Sequence, residues 1–340
     1  MAFFKKVACF TDIHFGLKGN SRIHNDDCED FVRWFIEQAK AEGCETCIFL
    51  GDWHHHRSAT NVSTMNYTVS NMERLGAAFE KVYVIMGNHD LYYREKREIN
   101  SMEYIRNIPN IHIVNQWLVE DDVAIIPWIV EDEYKKIEKM KQKYVFGHFE
   151  LPYFKMNAMV EMPDVGTIQS DHFAGCGKVF SGHFHKRQNM KNITYMGNAF
   201  PHNYADAWDD DRGMMVLEYD GEPKYINWPD MPRYITIKIS ELLAEPEKYL
   251  KPKMYVRVTL DIKISYEEAN FVRETFIDKY KLRELQLIPE QVDNAQQPLV
   301  EVQKFDSVDQ IVIKQLQGVD SEVYDKNVLT AIYNDLDVAN

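Results

Sequence analysis

Short apolar, β-rich runs recur through the first part of the chain, at residues 7–10, 47–50, 82–86, 123–127, 144–146 and 179–181. Helical spacing fills several of the gaps between them. Residues 26–41 place Phe31, Trp34, Phe35 and Gln38 on one side with Gly43 as a stop, and residues 62–79 form a second helical pattern. Strands alternating with helices predict βαβ units and a layered α/β core. Later runs at 193–196, 214–219 and 224–228 have no helices between them and read as a meander of strands. Pro229 and Pro232 punctuate the chain, and the pattern then changes. Residues 234–239 and 255–262 alternate as strands, 266–280 are helical with Ala269, Val272, Phe276 and Ile277 on one side, and 285–288 form another strand. This is a small β-α-β unit. Residues 289–307 are polar and read as a linker, and 308–340 carry two amphipathic patterns, the second anchored by Val323, Val328, Leu329 and Ile332. The expected organisation is a core over 1–228, a second unit over 229–290, and a linker and tail over 291–340.

Composition narrows the class. The 340 residues are 45% hydrophobic and 27% charged, as in a folded globular chain, and carry a formal net charge of −14. That balance argues against a free-standing nucleic-acid binder, which uses a basic excess to neutralise phosphates. The five cysteines are an odd number in a chain long enough to build its own core, so they read as reduced thiols. Cys44 and Cys47 have redox or zinc spacing but form a single pair, and two buried thiols is the better reading. No run is long enough to span a bilayer and no secretory leader is evident, so a cytoplasmic protein without membrane association is expected. All twelve histidines lie at or before His202, which confines imidazole chemistry to the first part of the chain.

Five polar clusters each follow a predicted strand: Asp12-Ile-His14, Gly51-Asp52, Gly87-Asn88-His89-Asp90, Gly147-His148-Phe-Glu150 and Gly182-His183-Phe-His185. In open α/β sheets ligands gather at the carboxyl ends of strands, so the five loops should converge. Carboxylates mixed with imidazoles suit Mn, Fe or Zn, whereas an all-oxygen set suits Mg or Ca. An aspartate can bridge two ions, and alternate residues on an extended segment can reach one site. The glycines allow a sharp turn off the strand and close backbone approach.

The ordered series D-x-H, GD, GNHD, GH, GHxH resembles the signature of calcineurin-like metallophosphoesterases. Within them the chain is similar to the SbcD-type nuclease subunits of double-strand-break repair, and in particular to the phage recombination endonuclease subunits that work with an SMC-like ATPase. The narrower resemblance rests on His55, three residues after Asp52, on Ile126-Pro-Trp128, on GHFE, and on the YMGNAF…DDDRG segment; it covers roughly residues 5–228. It implies a four-layer α/β/β/α sandwich, followed by a small β-α-β capping domain and a helical tail. It implies two Mn²⁺ ions, with Mg²⁺ as the alternative. Asp12, His14, Asp52 and His185 would hold the first; Asp52 would bridge to the second, held also by Asn88, His148 and His183. His89 would act on the developing charge or the leaving oxygen, Asp90 would orient it, and His55 would be a second active-site histidine. The implied activities are 3′–5′ exonuclease and single-strand endonuclease.

Other residues have plainer readings. His54 and His56 cannot both point inward beside His55. Glu150 either orients a metal-bound histidine or is a surface carboxylate. His24, His112 and His172 read as structural, and Asp209, Asp210 and Asp211 as a solvated turn. Tyr92, Arg94, Lys96 and Arg97, with Arg57 and Arg187, lie next to the ligand loops and are candidate DNA contacts by stacking and charge; the 91–97 cluster could equally open a helix. Val62, Met65, Val69, Met72 and Phe79 form a near-heptad stripe that would pair two copies through the helix at 62–80, or pack on the chain's own sheet. The resemblance makes the tail the segment that docks on an SMC-like ABC ATPase, and DNA ends the substrate. A cyclic-nucleotide phosphodiesterase or phosphoprotein phosphatase is the alternative, and a noncatalytic scaffold a third.

Overall fold

A computed structural model describes residues 2–156 and 160–289, with Lys326, Val328 and Leu329 beyond them. The chain divides into two compact units, Met1–Glu290 and Gln291–Asn340. The expected ATPase-docking tail lies outside the described residues except for those three.

In chain order the strands are β1 (Lys6–Phe10), β2 (Thr46–Phe49), β3 (Lys81–Ile85), β4 (Leu91–Tyr93), β5 (Lys96–Asn100), β6 (Ile111–Val114), β7 (Leu118–Glu120), β8 (Val123–Ile126), β9 (Tyr144–His148), β10 (Lys178–Gly182), β11 (Gln188–Met190), β12 (Ile193–Tyr195), β13 (Gly213–Glu218), β14 (Lys224–Asn227), β15 (Arg233–Lys238), β16 (Met254–Leu260) and β17 (Glu284–Pro289). They build two six-stranded sheets, in the orders β14-β13-β1-β2-β3-β6 and β11-β12-β10-β9-β8-β7. Each sheet has a parallel centre: β1, β2, β3 and β6 in the first, and β12, β10, β9 and β8 in the second. The expected meander is corrected here. Its first run, β12, joins the second sheet in parallel with β10, and the other two, β13 and β14, extend the first sheet beside β1.

The layers follow from where the apolar side chains point. One face of the first sheet meets the second sheet through Val7, Cys9, Ile48, Ile85, Ile125, Phe146 and Phe180. Its other face is covered by the helices Arg22–Ala41 and Val62–Ala78, where Phe10 packs at 4.4 Å from Phe35 and 4.8 Å from Phe49. Ser21 caps the first helix by accepting the His24 amide, which is why it starts four residues before the apolar pattern does. The outer face of the second sheet is covered by the single turn Tyr134–Ile137, the 3₁₀ turn Ser170–Phe173 and loops carrying Phe149, Leu151 and Phe154. This is the four-layer sandwich the resemblance implies, with a thin outer layer on that side. All five cysteines are buried and free.

Residues beyond 229 form a parallel sheet in the order β15-β16-β17, with the helix Tyr266–Tyr280 between β16 and β17. Ser265 and Glu268 close a reciprocal capping box at its start. Two short helices, Ile239–Ala244 and Pro246–Tyr249, link β15 to β16 and have no counterpart in the expected β-α-β pattern. The sheet has its own apolar cluster around Ile235, Val256, Val258 and Leu285. It is tied to the first sheet's helices by charge. Arg283 grips the buried Asp27 with both guanidinium nitrogens, one of them at 2.6 Å. Lys18 bonds the Tyr234 hydroxyl and lies 4.0 Å from the centre of the Tyr255 ring. Burial, with Arg283 nearby, pushes the Lys18 ammonium down to about 8. Among the described residues no helix is long and apolar enough to cross a membrane.

Candidate metal centre

The parallel strands of both sheets end on the same side, and the five clusters meet there. Asp12 and His14 follow β1, Asp52 follows β2, Asn88 and His89 follow β3, His148 ends β9, and His183 and His185 follow β10. Asp12, His14, Asp52 and His183 all adopt left-handed backbone, with φ of 50, 52, 62 and 89°. This conformation costs a non-glycine residue roughly 1–2 kcal/mol, so it marks turns dictated by the site. Gly51 supplies the adjacent turn with φ of 102°, and a Cβ on Gly87 would stand 2.2 Å from Asp52 Oδ1.

Asp52 sits at the centre, 2% exposed. Its Oδ1 accepts the His89 amide at 2.8 Å, and its Oδ2 lies 3.8 Å from His14 Nε2 and 3.3 Å from His148 Nε2. Burial alone would raise its carboxyl, but the facing His148, with His89 and His14, holds it well below the carboxylate range. His148 donates Nδ1–H to the Leu50 carbonyl at 2.7 Å, which aims Nε2 at Asp52 and at Asn88 Oδ1, 3.2 Å away. Burial lowers its imidazole, yet Asp52 and that carbonyl carry it up to about 9. His183 places Nδ1 2.9 Å from Asn88 Oδ1, while its Nε2 meets Glu150 Oε1 at 3.2 Å. Glu150 is therefore an orienting carboxylate, and Arg94 donates to the same oxygen at 2.6 Å. His183 and, less so, Arg94 pull the Glu150 carboxyl down to about 2.

On the other side of Asp52, His14 lies 3.9 Å and His185 4.0 Å from Asp12 Oδ1. The His14 ring is buried with neither nitrogen partnered. Two clusters capable of holding an ion share Asp52: Asp12, His14 and Asp52, and Asp52, His148 and His183. Ligand atoms about 2.0–2.2 Å from one ion are at most about 4.4 Å apart, and the 3.3–4.0 Å separations above satisfy that limit. The residues thus fit a dimetal centre, in which Asp52 would belong to both ligand sets. Two divalent ions there supply Lewis-acid activation and a clamp on the attacking and leaving oxygens of an in-line displacement.

His89 donates Nδ1–H to the His55 carbonyl at 2.7 Å, which leaves Nε2 free for a proton at the reacting oxygen. The His55 ring stacks on it at 5.4 Å, and burial, together with His89, pushes the His55 imidazole down to about 4. The expectation that Asp90 orients His89 is corrected. Both Asp90 oxygens are taken by backbone amides of Asp52, Trp53, His54 and Gly87 at 2.8–3.1 Å, so Asp90 braces the Asp52 loop instead. Its burial and the charge of Asp52 raise its carboxyl to about 7.

The rim differs from expectation. Residues 91–100 open no helix; β4 and β5 form a hairpin. Tyr92, Tyr93 and Lys96 face outward. Arg97 is 7% exposed and grips Glu133 with both nitrogens at 2.6 and 2.7 Å, so it is turned away from any DNA. Arg94 is held by Glu150 and lies over the Trp128 ring at 5.0 Å. Arg187 bonds the Met196 carbonyl and Asn227; Arg57 is half-buried. His54 is buried between Ser101 and Thr68, and His56 is exposed. His24 bonds the His14 carbonyl at 3.0 Å, His112 stacks on Tyr83, and His172 pairs with Glu138. Asp209 and Asp210 pair with Arg212 and Arg233 in a turn. His202 was outside every motif, yet its ring lies among those of His14 and His185. The available signal was a histidine seven residues past the apolar run at 193–195.

The family model of calcineurin-like phosphoesterases matches residues 5–187, and the chain belongs to that family; it is a metal-dependent phosphoesterase. Exonuclease subunit 1 of Enterobacteria phage T4 is 23% identical over 317 residues, covering 85% of this chain and 92% of that protein. Among solved structures, the nuclease MPE of Pseudomonas putida shares 20% identity over 53% of this chain and 61% of its own, with a TM-score of 0.28. A dimetal phosphatase from Danio rerio shares 10% over 63% and 92%, with a TM-score of 0.42.

Proposed function

We propose that this chain is the nuclease subunit of a DNA end-processing complex, hydrolysing phosphodiesters with two Mn²⁺ ions as a 3′–5′ exonuclease and single-strand endonuclease. Asp12, His14, Asp52 and His185 hold one ion, and Asp52, Asn88, His148 and His183 the other. His89 delivers a proton from Nε2 to the leaving oxygen, and His55 fixes it through its carbonyl. The observation that carries the reading is the cage bridged by Asp52 with His89 aimed beside it, on a chain similar over most of its length to an exonuclease subunit. The word subunit in that relative's name supports a partner here, which we identify as an SMC-like ABC ATPase contacted through residues 308–340. Of the stripe, Met72 and Phe79 are buried in the chain's own core and Val69 packs against it, so only the exposed Val62 and the half-buried Met65 support pairing of two copies through the helix Val62–Ala78. Mg²⁺ is the alternative ion, and repair or recombination in the cytoplasm is the setting.

The test is hydrolysis of linear duplex DNA, single-stranded circles and bis-p-nitrophenyl phosphate, with Mn²⁺ or Mg²⁺, with and without an SMC-like ATPase. Cleavage of DNA that Mn²⁺ supports and the ATPase enhances is the expected result. Activity confined to phosphomonoesters or cyclic nucleotides would overturn it.

A further inference from the structure

The first half of the cage contains one imidazole more than its motifs supply. His202 is 1% exposed, and neither of its ring nitrogens has a hydrogen-bond partner. Its ring meets His14 at 5.4 Å and His185 at 5.3 Å, and one nitrogen from each of the three rings lies within 4.8 Å of the other two. Phe200 at 5.0 Å and His24 at 5.4 Å wall the ring in elsewhere. The loop is fixed as well: the His202 amide donates to Asp206 at 2.9 Å, and Asp206 pairs with the buried Arg212.

Topology explains the placement. β12 runs parallel to β10, so the loop after it opens on the same side as the five ligand loops. A buried donor left without a partner costs about 1–3 kcal/mol. His14 and His202 would both bear that cost side by side. Packing alone gives no reason to bring their nitrogens together, and a shared divalent ion satisfies both.

We infer that His202 is a fifth protein ligand of the first metal site, beside Asp12, His14, Asp52 and His185. The inference rests on the dimetal reading of the centre and makes its halves unequal. Three imidazoles bias the first site toward Mn, Fe, Co or Zn over Mg or Ca. Five protein ligands would leave fewer open positions than the four of the second site, which would favour substrate oxygens at the second.

The experiment is calorimetric titration of metal-free protein with Mn²⁺, comparing the natural chain with His202→Ala and His202→Gln. It is paired with ¹⁴N couplings measured by pulsed EPR on protein loaded with one equivalent of Mn²⁺. The natural chain should bind two ions. Both variants should keep one site unchanged and weaken the other at least about tenfold, the lower end for losing even an outer-shell partner, with fewer ¹⁴N couplings. His202→Gln, which fills more of the pocket, carries the comparison if His202→Ala does not fold. Two unchanged affinities and unchanged couplings in either folded variant would overturn the role of His202 while leaving the dimetal centre intact. Fewer than two ions on the natural chain would overturn both.

Discussion

The floor of the site and its rim are built on opposite terms. The floor takes side chains from the ends of parallel strands, and backbone contacts hold three of them: the Leu50 carbonyl on His148, the His183 amide on Asp12, the His89 amide on Asp52. The rim is a hairpin whose two arginines turn inward to Glu150 and Glu133, leaving Tyr92, Tyr93 and Lys96 outside. Floor residues serve chemistry at fixed positions. Arg94 serves the floor through Glu150, Arg97 ties the hairpin to Glu133, and Tyr92, Tyr93 and Lys96 are what is left to meet a ligand.

Substitutions can break this division, and the floor should respond most. Asp52→Asn removes the bridging charge, and hydrolysis of bis-p-nitrophenyl phosphate should fall at least about 10⁴-fold, the scale of several kcal/mol of charge stabilisation; substantial retained turnover would deny the bridge. His89→Ala should lower DNA cleavage about 10²–10³-fold, as for loss of a general acid, while calorimetry still counts two ions. Loss of an ion would make His89 a ligand rather than a proton donor.

The rim should respond in stability before activity. Arg97→Ala leaves the half-buried Glu133 without its main partner and should destabilise the fold by about 2 kcal/mol in urea melts, with the metal count unchanged. Burial raises the Glu133 carboxyl, but the Arg97 bonds and charge outweigh it and hold the group below its usual range. A depressed carboxyl stabilises the folded state above its unfolded pKa and loses that contribution as pH falls through its folded value. The gap between the natural chain and Arg97→Ala should therefore be full at neutral pH and narrow below about pH 4; a gap constant down to pH 3 would exclude the pair as its source. Smallest of all, Tyr92→Ala should weaken single-stranded DNA binding by about 1 kcal/mol, the low end for one stacked base, without altering hydrolysis of the small phosphodiester. An equal loss on both substrates would move Tyr92 from rim to floor.

The same division explains what could be read in advance. The floor was legible because its chemistry demands particular residue types just past apolar runs, a local pattern. The helices 22–41 and 62–78 were legible from spacing, although the second buries Thr64 and Thr68 as well as Met72 and Leu75, since Trp53, His54 and Asn25 need polar partners there. The direction of Arg97 was not legible, because Glu133 lies 36 residues away. Asp90 was misassigned because its sequence neighbour is His89, while three of its four partners are amides on the Asp52 loop. His202 was missed because nothing within residues 193–195 says that this strand runs parallel to β10.

The grip of Arg283 on Asp27 joins residues 256 positions apart. At roughly 5–20 residues per second of synthesis, Asp27 waits about 13–51 seconds for its partner to be made. The helix beginning beside His14 thus spends that time without its last fastening, and the growing chain must reach the far edge of the third sheet before this contact can form. A stop codon shortly before residue 283 would leave every motif of the metal centre in the product and still deprive it of that tie.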